Sequence, residues 1–380
     1  MAHSGAGPVL GSHIAQVQRT FPVPLKELPR LPAGFPAVLD SPLAWSGHQL
    51  AQQDDYIFLL DETSVREAEQ ALERFKKLGL DGDLITRENF PLPNLGLKLN
   101  QLRRDIHEGR GFGLIRGLNP RKYSVEDLAM LHLGIQVHVA NRQGRQDKKG
   151  NMLVHIVADD SSREKSTHHR HSTAPITFHN EEAGDIVSWL TRSTAAKGGK
   201  CIIASAYTVY NVLAASRPDL VRTLARSDWP FALPRFQCRP VMFYHKERLI
   251  TNFGRAALLG SASHVRSNRF PKLTGSQMEA LDTIESIAQA TQLEIPTQAG
   301  DIHFINNLAV LHRREGFVNG QSANERRHLV RMRLRDDDMG WDIPQHLAKE
   351  WSKAFDSGRT MVWHLEPMPD GFFPLRSQPN

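Results

Sequence analysis

The chain has 380 residues, of which 40% are hydrophobic, and it contains only two cysteines. Such a chain can bury a sizeable core, but it cannot build a disulfide framework. Its formal charge is +6, yet basic and acidic residues are interspersed without stacking aromatic residues, so nucleic-acid binding is not expected. No signal-peptide pattern and no apolar run of membrane-spanning length is found. We therefore expect a cytoplasmic protein that does not bind membranes.

The predicted organisation is an N-terminal arm over residues 1–40, which is rich in Pro and Gly, and one large domain over residues 41–380. A capping-box pattern beginning at Ser64 predicts a helix that ends near Leu78, before Gly79. A second capping-box pattern begins at Ser276. The remaining predicted elements are helices over residues 99–108, 125–133 and 276–290 and a strand over residues 111–118.

Residues 176–181 read Ile-Thr-Phe-His-Asn-Glu, a sequence typical of an extended strand. In a strand, His179 and Glu181 project to the same side with Thr177, while Ile176 and Phe178 face the other side. Two ligands can then reach one metal ion. The alternative is an ordinary ion pair, because the chain has 18 histidines.

The stretch over residues 161–173 lies directly before this strand and contains His168, His169 and His171. A histidine cluster can bind a second metal ion, but a polar loop of this kind is more often a mobile surface segment. We interpret it as a candidate lid over the site, with substrate contacts as one of its roles.

A second group of candidate residues follows about 130 residues later. Residues 299–307 predict a strand after a turn at Gly300, His312 follows, and residues 327–335 predict another strand. Alternation places five residues of that last strand on one face: Arg327, Leu329, Arg331, Arg333 and Arg335. The ordinary interpretation is a solvated basic face. The alternative is that its first part faces a barrel interior, where a guanidinium can bind a carboxylate through two hydrogen bonds.

The side chains of His179, Glu181 and His312 have the pattern of a three-ligand metal site. A His-x-carboxylate pair with a distant second His is the ligand set of non-haem Fe(II) oxygenases, which leaves coordination positions free for a co-substrate and dioxygen. These three residues are therefore predicted to be the metal ligands and the catalytic centre.

Five segments, in register, resemble fungal members of the taurine-dioxygenase-like (TauD/TfdA) family, and the similarity runs from about residue 90 to about residue 345. They are Phe-His-Asn-Glu-Glu-Ala-Gly-Asp-Ile at 178–186, Gly-Gly-Lys-Cys at 198–201, Ile-Asn-Asn at 305–307, Leu-His-Arg-Arg-Glu-Gly-Phe at 311–317 and Arg-Arg-His-Leu-Val-Arg at 326–331. The resemblance implies an α+β fold with a double-stranded β-helix (jelly roll) core and flanking helices. It also implies an Fe(II)- and 2-oxoglutarate-dependent dioxygenase that uses O2 and releases succinate and CO2.

The resemblance also implies roles for single residues. His179, Glu181 and His312 would bind Fe(II), Arg327 would bind the distal carboxylate of 2-oxoglutarate, and Arg331 would lie near the substrate or co-substrate. Most members have Asp at the position of Glu181. The related clavaminate-synthase-like enzymes are similar to this chain in having Glu there.

Cys201 stands at a second departure from the family pattern, where many members have a hydroxyl that helps to bind 2-oxoglutarate. A thiol is a weak hydrogen-bond donor. Either another group, such as Ser205, substitutes for that hydroxyl, or the co-substrate is placed differently.

The substrate is predicted only by class. Arg331 and the Glu-type triad favour a small, anionic or amino-acid-like molecule, with hydroxylation as the default reaction and desaturation or cyclisation as the alternatives. Trp189, Tyr207 and Tyr210 either line the pocket or fill the core, and the core is favoured. A non-oxidative metalloenzyme, such as a zinc hydrolase, and a catalytically inactive small-molecule-binding jelly roll remain open, as does a homo-oligomeric state.

Overall fold

Two β-sheets face each other and enclose the region where the candidate residues lie. The structure, a computed structural model, describes residues 30–158, 171–261, 264–356 and 358–367. The helices of these residues are α1 (Gly47–Leu50), α2 (Glu62–Lys76), α3 (Leu95–His107), α4 (Val125–Gln136), α5 (Ala206–Ser216), α6 (Pro218–Leu224), α7 (Arg255–Leu259), α8 (Gly275–Thr291) and α9 (Gln345–Phe355).

The large sheet has the strand order β1-β2-β14-β6-β17-β3, and β4 also pairs with β17; the small sheet has the order β13-β8-β15-β5. Three further pairs, β9 with β10, β11 with β12 and β7 with β16, lie outside these two sheets. The strands are β1 (Ile57–Leu59), β2 (Phe112–Arg116), β3 (Arg142–Gly144), β4 (Val154–Val157), β5 (Ile176–His179), β6 (Ile186–Ser193), β7 (Lys197–Gly198), β8 (Cys201–Ser205), β9 (Pro230–Phe231), β10 (Gln237–Cys238), β11 (Met242–His245), β12 (Arg248–Thr251), β13 (Leu293–Ile295), β14 (Ile302–Asn306), β15 (Val310–Arg314), β16 (Phe317–Val318) and β17 (His328–Arg335).

The space between the sheets is filled by alternate side chains of both. Trp189 on β6 and Leu329 on β17 belong to one buried cluster with Ile203 on β8. The intervening residues of β17, such as Met332, point the other way and pack under helices. Because side chains alternate along a strand, β17 contributes to two cores at once. The predicted jelly-roll core with flanking helices is confirmed.

Helices cover the outer faces of both sheets. Phe75 of α2, Leu102 of α3 and Leu131 of α4 share a buried cluster with Met332 of the large sheet. On the small sheet, the equivalent cover comes from α5, α6 and α8, with residues such as Leu281 packed in one cluster. Each sheet is therefore buried on two faces, which explains why its strands are rich in apolar residues.

Both predicted capping boxes are wrong, because an earlier residue caps each helix. The side chain of Asp61 accepts a hydrogen bond from the Ser64 amide at 2.7 Å, so α2 begins at Glu62. At α8 the Thr274 hydroxyl accepts from the Gln277 amide at 3.2 Å, and the Gln277 side chain accepts from the Thr274 amide at 2.9 Å. Ser64 and Ser276 therefore lie inside the first helical turns.

Two other predicted helices are longer than expected. Helix α3 begins at Leu95 because the distant Glu67 carboxylate accepts hydrogen bonds from the Asn94 and Leu95 amides, at 2.8 and 3.1 Å. Helix α4 begins at Val125 as predicted and continues to Gln136. The predicted strand over residues 111–118 is present as β2.

Part of the predicted N-terminal arm, residues 1–29, lies outside the described residues. Beyond it, Leu39 is buried and its amide donates to the Asn211 side chain of α5 at 2.7 Å. The division at residue 40 stays a prediction. Among the described residues, none of the helices combines the length and apolarity needed to span a membrane.

Candidate active site

The structure brings His179, Glu181 and His312 together between the two sheets. His179 on β5 pairs in register with His312 on β15, and Glu181 lies two residues after the His179 strand end. One ligand atom from each residue lies within 4.8 Å of the others. The Nε2 atoms of His179 and His312 lie 4.0 and 3.9 Å from the same Glu181 oxygen.

The backbone around Glu181 is held by two asparagine side chains. The Asn307 amide group accepts from the Glu181 amide at 2.7 Å and donates to the Glu181 carbonyl at 3.1 Å. The Asn180 side chain donates to the Asn307 carbonyl at 2.8 Å and accepts from the Phe253 amide at 3.0 Å. Glu181 lies beyond the end of β5, where no strand pairs with it. These side-chain hydrogen bonds therefore fix the position of its backbone.

The protonation states suit a divalent cation. Burial, with the nearby His179, lowers the pKa of His312 to about 3, so its imidazole is neutral. Burial alone would raise the pKa of Glu181, but Arg331, Arg333 and the two histidines hold it well below its usual range. The Nδ1 atom of His179 lies 2.9 Å from the Thr177 carbonyl, which leaves Nε2 facing Glu181. Two imidazoles and a carboxylate form a donor set that fits Fe(II) or Zn(II).

One part of the predicted strand geometry is wrong. Thr177 is exposed, and Ile176 lines the cavity beside His179 and Glu181 instead. The pairing of β5 with β15 shifts register between His312 and Arg314, so simple alternation does not hold at this point.

Arg327 lies in the same cavity as the triad and is 9% exposed. No carboxylate of the described residues forms an ion pair with its guanidinium, which lies 5.3 Å from the Phe317 ring centre. Burial, with the nearby Arg314, lowers the pKa of Arg327 to about 9. Gly199 has a φ of +77°, and a Cβ there would lie 3.1 Å from the Arg327 Cδ, so glycine leaves room for this side chain. The arrangement fits an anionic ligand.

Cys201 and Trp189 line this cavity and an adjoining one of about 280 Å³. Burial raises the pKa of Cys201 to about 12, so the thiol is neutral. Ser205 cannot take over its place, because its hydroxyl caps α5 and hydrogen-bonds to the Leu43 carbonyl. Trp189 stacks on His303 with ring centres 4.9 Å apart.

The inward face of β17 is buried, so its interpretation as a solvated basic face is wrong. Arg331 and Arg333 are each 5% exposed. Arg331 forms an ion pair with Glu181, and its Nε donates to Gln146 at 2.8 Å. Arg333 lies 3.5 Å from the other Glu181 oxygen. Arg335, at the strand end, pairs with Asp185 at 2.9 Å.

Two contributors to the site were not predicted, Gln146 and Asn307. Gln146 has no motif around it, and the bracing role of Asn307 is hidden because an Asn after a strand usually indicates a turn. Trp189 belongs to a buried cluster and also lines the cavity, whereas Tyr207 and Tyr210 are core residues as predicted. In the candidate lid, residues 161–170 lie outside the described part, and His171 contacts the Val157 carbonyl at 3.0 Å.

Comparisons with known proteins give consistent results. The family model described as taurine catabolism dioxygenase TauD, TfdA family matches residues 74–333. The chain is similar to the taurine hydroxylase-like protein SAT17 of Stachybotrys chartarum, with 33% identity over 344 residues that cover 87% of this chain and 89% of the relative.

Solved structures share the fold. Asparagine oxygenase, in complex with Fe(II), 2S,3S-3-hydroxyasparagine and succinate, matches with a TM-score of 0.58 and 18% identity, covering 75% of this chain and 98% of the other. The non-haem iron oxygenase OrfP, in complex with Fe and alpha-ketoglutaric acid, matches with a TM-score of 0.53 and 12% identity, covering 74% and 94%.

Proposed function

The chain belongs to the taurine catabolism dioxygenase TauD/TfdA family, whose members are Fe(II)- and 2-oxoglutarate-dependent dioxygenases, and on this premise we propose roles for its residues. His179, Glu181 and His312 bind Fe(II), and Arg327 binds the distal carboxylate of 2-oxoglutarate. Cys201 and Trp189 line the space for the co-substrate.

The observation that carries this proposal is the buried Arg327 in the cavity of the triad. A buried cation without an acidic partner is costly, so a dicarboxylate co-substrate that pairs with it offsets a large desolvation cost. A zinc hydrolase with the same three ligands would not need this arginine. The neutral Cys201 thiol adds no competing charge.

The residues of this chain divide the work of the reaction. When bound, Fe(II) and 2-oxoglutarate supply the oxidation: dioxygen is consumed, 2-oxoglutarate leaves as succinate and CO2, and a C–H bond of the substrate is oxidised. His179, Glu181 and His312 would hold the ion, and a set of three protein ligands would leave it able to bind the co-substrate and dioxygen. Arg327 orients the co-substrate, and the buried apolar walls at Trp189 and Leu329 exclude water.

The substrate is a small molecule that is anionic or amino-acid-like. Arg331 lies beside Glu181 at the cavity wall, where its positive charge attracts a carboxylate or a similar anionic group of the substrate. The folds shared with asparagine oxygenase and OrfP, whose structures hold hydroxylated amino acids or 2-oxoglutarate, support this class. Hydroxylation is the default outcome.

Anaerobic titration with Fe(II) and then 2-oxoglutarate tests the metal and co-substrate together. We expect a visible metal-to-ligand charge-transfer band, because the keto acid chelates the iron. In His312→Ala the band should be absent or strongly reduced. A wild-type protein that binds one Fe(II) but gives no band would contradict the oxygenase and favour the non-oxidative metalloenzyme.

Substitution of Arg327 separately tests its proposed binding of the 2-oxoglutarate carboxylate. We expect Arg327→Ala to weaken 2-oxoglutarate binding by about 10- to 100-fold, since a hydrogen bond to a charged group contributes about 1.5–3 kcal/mol. The matched control is Arg326→Ala, because this neighbouring arginine is exposed. Titration of the charge-transfer band gives both affinities. Equal affinity in the two variants would show that Arg327 does not bind the co-substrate.

A further inference from the structure

The inward face of β17 extends past the triad in both directions. Along it the side chains follow in the order Arg327, Leu329, Arg331 and Arg333, and the rise of about 3.3 Å per residue separates Arg327 from Arg333 by about 20 Å. Glu181 lies between them, paired with Arg331 and 3.5 Å from Arg333. Arg327 and Arg333 therefore lie on opposite sides of Glu181, and Arg327 is on the side proposed for the co-substrate.

A cavity of about 490 Å³ lies at the Arg333 end, and we call it the basic chamber. Three acidic side chains line it, Asp147, Glu182 and Glu350. Its six cationic side chains are Arg145, Lys148, Arg235, Arg333, Lys353 and Arg359. The six positive charges exceed the three negative ones by three, although the whole chain carries only +6.

Two of these cations are buried within the protein rather than spread on its surface. Arg333 is 5% exposed, and its Nε atom has no hydrogen-bond partner among the described residues. Arg145 is 6% exposed and donates to the backbone carbonyls of Lys353 and Asp356 at the end of α9. Arg333 has Glu181 and Glu182 beside it, whereas the hydrogen bonds of Arg145 go to neutral carbonyls, and burying a cation without an anion costs free energy.

The chamber shares a wall with the metal site. Arg333 reaches Glu181 on one side and lies 3.8 Å from Glu182 on the other. Gln146 lines the chamber, accepts from the Arg331 Nε at 2.8 Å and donates to the Arg331 carbonyl at 2.6 Å. The chamber and the triad cavity are therefore neighbours that share no lining residue, and the contacting side chains of Glu181, Arg331 and Gln146 lie between them.

We propose that the basic chamber binds a second, multiply charged anionic group of the substrate, of the phosphoryl type. The inference rests on the proposed function, since it adds a subsite to the same active site. The guanidinium and ammonium groups that line the chamber oppose the charge of such a group and can donate to its several oxygens. The substrate is then an elongated molecule with an anionic group at each end of the oxidised region, rather than a free neutral amino acid.

Calorimetric titration of the metal-free protein with pyrophosphate tests the chamber without involving the reaction. We expect saturable binding at one site, weakened at least 10-fold in the double variant Lys148→Gln/Arg235→Gln. Neither residue contacts the triad. The charge-matched control is Lys272→Gln/Arg217→Gln, since Arg217 and Arg235 have side chains that are 39% and 37% exposed and both pair with carboxylates. This control should bind like the wild type.

The charge-transfer band, measured on the same three proteins, separates the two proposals. A normal band with pyrophosphate binding that is absent, or equally strong in both double variants, would overturn the chamber and leave the oxygenase intact. Loss of pyrophosphate binding only in the chamber variant supports the chamber, and it does so even where the band fails to form in every protein.

Discussion

Asn307 shows how a residue that is not a ligand can control a metal site. Its side chain binds both backbone polar groups of Glu181 and also donates to the Gly184 carbonyl at 2.9 Å. Glu181 has no strand partner of its own, so the direction of its carboxylate depends on this clamp. Groups that orient a metal ligand commonly change metal affinity 10- to 100-fold when they are removed.

We therefore expect Asn307→Ala to weaken Fe(II) binding by about 10- to 100-fold while all three ligands remain. The matched control is Asn211→Ala, because the Asn211 side chain holds the Leu39 backbone in the same two-sided way and neither residue lines the triad cavity. Fe(II) affinity measured anaerobically distinguishes the two. A similar loss in both variants would indicate general destabilisation instead of a specific effect on Glu181.

The candidate metal ligands could be predicted from the sequence, but the residues that hold them in position could not. His179, Glu181 and His312 stand out by residue type and spacing, whereas the role of Arg327 is implied by the family resemblance. Gln146 and Asn307 act through hydrogen bonds that span 185 and 126 residues, and no local pattern indicates them. The sequence also did not predict that Thr177 is exposed. Its orientation depends on a register shift between His312 and Arg314, which lie on the neighbouring strand β15.

Among the elements, β17 was predicted well because one period governs its whole length. Helix starts were predicted less well, since several polar residues near each start can act as caps. At α8 both Thr274 and Ser276 are suitable, and the first is used. At α3 the start depends on Glu67, a residue of another helix.

The choice of cap at α8 can be tested by stability. We expect Thr274→Ala to lower the free energy of unfolding by about 1 kcal/mol, because it leaves the Gln277 amide without its hydroxyl acceptor. Ser276→Ala should change stability by less than about 0.5 kcal/mol, as expected for a substitution away from a cap. Denaturant unfolding of both variants measures the difference. A larger loss of stability in Ser276→Ala than in Thr274→Ala would show that Ser276 is the cap.

The jelly roll as a whole was predicted from the family resemblance and could not have been derived from periodicity. Strand β2 pairs with β14 although the paired residues Ile115 and Ile302 lie far apart in the sequence. Such pairings are set by the packing of three separate clusters, and no local pattern determines them. The triad itself depends on this order, since His312 reaches His179 only through the pairing of β15 with β5.

Buried histidines make the stability of the whole molecule depend on pH. His107 and His132 are each 1% exposed. Burial lowers the pKa of each to about 4. The unfolded chain binds protons at these sites near pH 6.5, whereas the folded chain does not, so acid favours unfolding. Their contribution to stability is fully present above about pH 6.5 and is lost as the pH falls toward 4.

Replacement of His132 separates its contribution to the pH dependence of stability from that of His107. Its Nε2 has no hydrogen-bond partner among the described residues, and its neighbours on α4 belong to an apolar cluster, so leucine should be accommodated. Between pH 6.5 and 4.5, we expect the free energy of unfolding of His132→Leu to fall less steeply than that of the wild type. The difference should approach about 1.4 kcal/mol per pH unit. Denaturant unfolding of the metal-free proteins at several pH values gives both slopes. Identical slopes would mean that His132 takes up its proton equally well in the folded state.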